Sequence, residues 1–247
     1  MVEVIQQGGV GNCCFQIAAA YCYSLKYGMD YLVSDENINP HLGQKSVLFP
    51  NVKYGTLSKE IPEYIEPAFH YNPIPYMPNL RMGGYFQSHL YHYQYKPELL
   101  KLFNIPIIPK HDTIFLHYRL GDYKTLGKFH QIISDSYITD CLAYFSARGD
   151  KKFLILSDEI NEAKKQINTE RFTKLEIEYS DSNSELEDLS LMASCGGGVM
   201  SASSFSWWGA YLGTNEDRTI LYPKNWFGES LSNHSIKNLC PENWIAL

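Results

Sequence analysis

The chain has 247 residues, room for one large α/β domain or two small ones, each able to bury a core. Hydrophobic residues make up 45% and charged residues 19%, which excludes a disordered chain. The formal net charge of −6 argues against a protein whose affinity comes from nucleic-acid phosphates, although one locally positive pocket can still hold an anion.

Val2 to Ile5 reads as a short strand, and Gly8, Gly9 and Gly11 as a turn. Asn12 is placed to cap a helix from Cys13 to Tyr27, which Gly28 ends. Tyr31 to Val33 is a second strand, so the chain opens like a Rossmann half. Residues 39–80 are rich in Pro, Tyr and Asn and read as irregular, acceptor-facing surface. Pro97 to Phe103 is a short helix, and Asn104 to Asp112 is the best linker. Two halves follow, residues 1–108 and 109–247.

The second half is the cleaner. Strands are expected at Thr113–His117, within "KFLILSDE" (152–159), at "LEIEY" (175–179) and at Gly197–Ser201. Helices are expected at Tyr137–Arg148, Asn161–Asn168, Ser184–Cys195 and Phe205–Leu212. Strict alternation makes this half a doubly wound, largely parallel sheet.

In such sheets ligands sit beyond the carboxyl ends of the strands. Four polar stretches fall there: the glycine turn at 8–12, His117–Asp122, Ser157–Asp158 and Ser201–Phe205. Arg119 carries a fork that matches phosphate oxygens; alternatively it pairs with Asp122 to hold its loop. Ser203, Ser204 and Phe205 stand between a strand and a helix, where free amides and hydroxyls favour an anion; the plainer role is helix capping by Ser204. The glycine turn is no P-loop, since no GK[ST] follows, and it falls short of GxGxxG because Cys14 holds the third position. Trp207 and Trp208 read as packing. The six cysteines form no CxxC pair and suit reduced core thiols. No signal peptide or membrane span is visible, which points to a cytoplasmic protein. No DxD occurs, so a nucleotide diphosphate would be held by Arg119 and a helix start without metal.

Five pieces together resemble the α-1,2-fucosyltransferases of glycosyltransferase family 11: "GGVGNCCFQIA" (8–18), "GGYFQS" (83–88), "HYRLGDY" (117–123), "FLILSDE" (153–159) and "MSASSFSWWGAYL" (200–212). They run in the family order across most of the chain. The resemblance implies a GT-B-like α/β fold, two Rossmann-type halves facing across a cleft. It implies inverting, cofactor-free and metal-independent transfer of L-fucose from GDP-β-L-fucose to a glycan hydroxyl. By the same analogy Arg119 contacts the diphosphate, and His117 and Asp158 contact the nucleoside. Ser203, Ser204 and Phe205 hold phosphate, and Asn12 reaches the diphosphate or fucose. Asp122 is the first candidate for the base, His130 the second; Asp122 serves equally well to orient Arg119. Two letters depart from the family, Leu120 where a second Arg is usual and Cys13 where Gln is usual. A lost positive charge at 120 would weaken donor binding or shift the load to Lys124 or Lys128. The competing readings are transfer to another acceptor or linkage, a non-catalytic nucleotide-sugar or glycan-binding module, and a nicotinamide-dependent oxidoreductase.

Overall fold

The computed structural model describes residues 1–38, 47–167, 169–215 and 217–247. The chain divides into two compact units, Met1–Ile105 with His234–Pro241, and Pro106–Asn233 with Glu242–Leu247.

The first unit contains β1 (Val2–Gln6), α1 (Val10–Tyr27), β2 (Tyr31–Asn37), β3 (Tyr54–Gly55), β4 (Glu63–Ile65), β5 (Leu80–Gly83) and α2 (Lys96–Phe103). Its five strands are parallel, in the order β3-β2-β1-β5-β4. Val2 and Val4 of β1, Leu80 and Met82 of β5, and Phe15 and Ile17 of α1 are all fully buried. Two strands, β3 and β4, fall in the stretch expected to be irregular. At two and three residues they are too short to show a periodic pattern, and partners elsewhere in the sheet hold them. Residues 39–46 of that stretch lie outside the described residues. The segment around Asn238 joins this unit, where its carbonyl accepts from Ser88 Oγ at 2.7 Å and from the His89 amide at 3.2 Å.

The second unit contains β6 (Lys110–His117), α3 (Asp135–Ala147), β7 (Lys152–Leu156), α4 (Ile160–Gln166), β8 (Glu176–Tyr179), α5 (Glu185–Ser194), β9 (Cys195–Val199), α6 (Ser204–Tyr211), β10 (Thr219–Tyr222) and β11 (Ile245–Ala246). The six strands are again parallel, in the order β11-β10-β9-β6-β7-β8. The chain therefore proceeds outward from β6 in one direction and returns to its other side at β9. Strand and helix alternate as the sequence indicates, and the α/β class with two Rossmann-type halves is what the structure shows. The helix expected over 161–168 spans Ile160–Gln166, and Asn168 lies outside the described residues. Strand β6 begins at Lys110, inside the expected linker.

The second sheet has a topological switch point at β6/β9, where the chain leaves β6 towards β7 on one side and β9 towards β10 on the other; in the first sheet β1 and β5 lie side by side. Adjacent crossovers part at such a point and leave a crevice beyond the strand ends. Four of the five family-like pieces lead out of β1, β5, β6 and β9. No helix of the described residues is long and apolar enough to cross a membrane.

Candidate active site

The second unit gathers most of the expected site at its switch point. His117 ends β6. The Ser201 hydroxyl, just past β9, donates to the His117 carbonyl at 2.6 Å and accepts the Arg119 amide at 2.9 Å. One buried hydroxyl thus joins the ends of the two strands that part there. Beyond it the Arg119 side chain is 28% exposed. Asp122 Oδ1 accepts from Arg119 Nη2 at 2.8 Å and from Nε at 3.2 Å. Asp158, past the end of β7, places Oδ2 3.1 Å from Arg119 Nη1 and accepts the Leu120 amide through Oδ1 at 2.9 Å. Burial works against the guanidinium's charge, but the two carboxylates outweigh it and raise the pKa.

Gly121 makes this approach possible. A Cβ there would collide with Asp158 Oδ2. The loop then turns onto Tyr123, whose hydroxyl donates to the Ala202 carbonyl at 2.9 Å and whose ring stacks on His130, 4.4 Å between centroids. Arg119 lies over the same tyrosine ring, 5.6 Å from its centroid.

His117 is buried, and its ring sits 5.6 Å from that of Phe205. Desolvation, reinforced by the Arg119 charge, lowers its pKa to about 3, so the imidazole is neutral near pH 7. Its Nδ1 has no hydrogen-bond partner in the protein, an unmet buried polar atom beside the arginine. Ser203, not Ser204, is the N-cap of α6, and its Oγ accepts the Phe205 amide at 3.2 Å. The extended backbone at Ser203 aims its hydroxyl back over the first turn. The Phe205 amide, expected for phosphate, is therefore engaged by the cap. Ser204 and Phe205 are half-buried at the rim.

Leu120 is 1% exposed and packs in the core with Tyr118, Ile133 and Ile138. The side chain at this position points away from Arg119's surface. Lys124 and Lys128 are exposed. Sequence reading did not single out Ser201 or Tyr123 individually. Glu185, at the start of α5, is a carboxyl whose pKa burial raises against the opposing influence of Arg119. Among the described residues, no group of three or more His, Cys, Asp or Glu side chains is arranged to hold a metal ion.

Asn12 belongs to the first unit. It is not a helix cap: α1 starts earlier, at Val10, with Gly9 as N-cap and Cys13 N–H bonded to the Gly9 carbonyl at 3.0 Å. Asn12 stands in the first turn instead, where its Oδ1 accepts from Gln87 Nε2 at 2.7 Å. Cys13 is buried, its Sγ 3.7 Å from the Gly8 carbonyl. Gln16, fully buried, donates through Nε2 to the Gln7 carbonyl at 3.2 Å and the Gly84 carbonyl at 3.1 Å. Its Oε1 accepts the Gln7 amide at 3.0 Å. One side chain thus ties the turn after β1 to the turn after β5.

A guanidinium held by two carboxylates thus lies at the β6/β9 switch point, beside the serine-rich start of α6. The comparisons with known proteins define the class. The model for glycosyl transferase family 11 matches residues 57–247. The O-antigen biosynthesis glycosyltransferase WbnK of Escherichia coli is 28% identical, over 97% of this chain and 98% of that protein. An alpha-1,2-colitosyltransferase of Escherichia coli is 27% identical, over 66% of this chain and 61% of that protein. Among solved structures, the fucosyltransferase NodZ from Bradyrhizobium matches with a TM-score of 0.46 and 14% identity, covering 84% of this chain and 91% of that one. The chain belongs to glycosyl transferase family 11, and it is a glycosyltransferase.

Proposed function

We propose that the protein transfers L-fucose from GDP-β-L-fucose to a hydroxyl of a glycan, with inversion, without metal, and with an α-1,2 linkage as the expected product. The observation that carries this reading is Arg119 fixed between Asp122 and Asp158 at the β6/β9 switch point, in a chain of family 11. The relative named for colitose, a fucose analogue, and the relative named for O-antigen biosynthesis support a deoxysugar donor and a surface-glycan acceptor.

In this reading the fucose–phosphate bond breaks as the acceptor oxygen attacks the opposite face of the anomeric carbon. Negative charge grows on the β-phosphate. Donors already in place stabilise that charge without reorganising. Arg119 is the main one, assisted by Ser203, Ser204 and the start of α6. A phosphate that reaches the Phe205 amide must displace the Ser203 cap. His117, neutral, offers a hydrogen bond to the nucleoside part through the Nδ1 that has no protein partner. Asp158 borders the same place. Asn12, held by Gln87, is the first unit's residue for the diphosphate or the sugar.

The acceptor's proton needs a base. Asp122 already gives Oδ1 to two guanidinium contacts, which favours its role as the orienter of Arg119. His130 is packed flat on Tyr123, and burial lowers its pKa despite the nearby Asp122.

The test is incubation with GDP-fucose, a chelator and a panel of glycans, with the product's anomeric configuration read by NMR. An α-fucoside formed in chelator is the expected result. GDP binding without transfer or hydrolysis would leave a binding module, and loss of transfer in chelator would overturn the metal-free reading. A GDP-colitose arm tests whether the donor pocket demands the hydroxyl that colitose lacks.

A further inference from the structure

The first unit contains a carboxylate whose contacts serve a turn rather than a charge. Glu66 follows β4, and its amide bonds the Gly83 carbonyl at 2.8 Å, extending the sheet by one residue. Its side chain folds back onto the turn that leaves β5. Oε2 accepts the amides of both Tyr85 and Phe86, each at 2.8 Å, and Tyr91 reaches Oε1 at 3.5 Å.

That turn needs holding. Gly84 sits at φ 149 and Phe86 at φ 51, a left-handed backbone that a bulky residue rarely adopts. A Cβ on Gly84 would collide with the Glu66 side chain, so the carboxylate and the glycine fit together as a pair. Such conformations persist where the surroundings over-determine them, commonly at functional sites. Here the turn delivers Gln87, largely buried, whose amide donates to Asn12 at 2.7 Å.

We propose that Glu66 is a positioning residue for sugar transfer: it fixes the Gly84–Gln87 turn, and the turn fixes Asn12. The proposal rests on the reading above in one respect, that Asn12 serves the donor. The carboxylate is also an unusual choice for a plain anchor. Desolvation raises its pKa to about 7 even though the two amides and Tyr91 favour the charged form. The ionisable groups around it are Tyr64, Tyr71 and Tyr91, so no cation faces it among them.

The decisive comparison is Glu66→Ala against Glu66→Gln, because glutamine keeps one acceptor oxygen for the amides of Tyr85 and Phe86 while it loses the charge and the second oxygen that meets Tyr91. The alanine variant is expected to lower kcat by about tenfold or more, as small misplacements remote from the chemistry do. The glutamine variant is expected to recover kcat to within about threefold of the parent. Gln87→Ala leaves the anchor in place and is expected to repeat the alanine loss; it also covers the case in which Glu66→Ala does not fold. An independent readout is the Asn12 side-chain amide in a 1H–15N spectrum, expected to shift in Glu66→Ala and Gln87→Ala and to stay in place in Glu66→Gln. Full activity in folded Glu66→Ala or in Gln87→Ala would overturn the proposal. Equal loss in the alanine and glutamine variants would also overturn it, since something other than acceptance of the two amides would then be at work. If the parent does not turn over GDP-fucose, the donor reading fails, and the spectrum alone decides whether Glu66 positions Asn12.

Discussion

Arg119 and Asp158 project from the ends of neighbouring strands and meet at 3.1 Å, while the same carboxylate holds the backbone of Leu120 at 2.9 Å. The side chain that would bind phosphate and the loop that carries it thus share one anchor. Arg119→Ala is expected to cut kcat by about 100- to 1,000-fold, the scale seen when one preorganised donor is removed. Arg119→Lys should restore little, because an ammonium cannot reproduce the fork that Asp122 and Asp158 now orient. Transfer assays and far-ultraviolet circular dichroism together check that turnover is lost while the fold remains.

Asp158→Asn keeps an acceptor for the Leu120 amide but removes the charge beside Arg119. It should raise the donor KM and leave stability nearly unchanged. Asp158→Ala removes both and should also lower stability by about 1–3 kcal/mol, the cost of a polar group left unsatisfied. Gly121→Ala, whose new methyl would occupy the place of the carboxylate, is expected to behave like Asp158→Ala. Steady-state kinetics with urea unfolding separates the two effects.

Asp122→Asn tests the assignment of roles. If the residue orients Arg119, the rate falls while the acidic limb of the pH–rate profile keeps its midpoint. A lost or displaced limb would make Asp122 the base.

Stability should fall on acidification. His117 and His92 are both buried with pKa lowered to about 3, chiefly by desolvation. Each contributes stability that is present above the unfolded value of 6.5 and is lost as pH falls towards 3. Glu66 acts oppositely: with its pKa raised to about 7, its contribution is full below 4.5 and lost as pH rises through 7. Between 4.5 and 6.5 two imidazoles oppose one carboxyl, so among these groups the imidazoles win. Melting temperature measured from pH 7 to pH 5 should drop, and His92→Gln should flatten the slope.

Gln16→Ala removes the fully buried tie between the turns after β1 and β5. It leaves peptide groups of Gln7 and Gly84 without partners, and a loss of about 2–4 kcal/mol is expected from denaturant unfolding. Gln16→Glu should do no better, since a carboxylate cannot donate to the carbonyls of Gln7 and Gly84.

The sequence made the second unit's framework legible. Apolar runs such as Phe153–Leu156 mark strands, acidic residues at the start of α5 mark a helix N-terminus, and the alternation of strand and helix gives a parallel sheet. The concentration of Arg119, Asp122, Asp158 and Ser203 at one strand-end crevice followed from the rule for open sheets. Other features depend on long-range partners that no local pattern announces. Gln16 meets Gly84 across 68 positions, and Ser201 meets His117 across 84. Glu66 looked like one acid among many until the turn it holds was visible. The cap of α6 was displaced by one residue, because adjacent serines offer the same chemistry and only backbone direction decides between them. Leu120 could be compared with its neighbours by charge, but not by the direction of its side chain, which the loop sets.

Arg119's two tethered carboxylates have a consequence for selectivity. The three side chains carry one positive and two negative charges, so the unliganded crevice does not advertise a strong positive field. A small free anion such as phosphate must compete with counter-ions that cannot diffuse away and therefore act at high effective concentration. A ligand that engages Arg119, the α6 start and His117 at once can win that exchange through several contacts made together. Such an arrangement would select anions by extent rather than by charge alone.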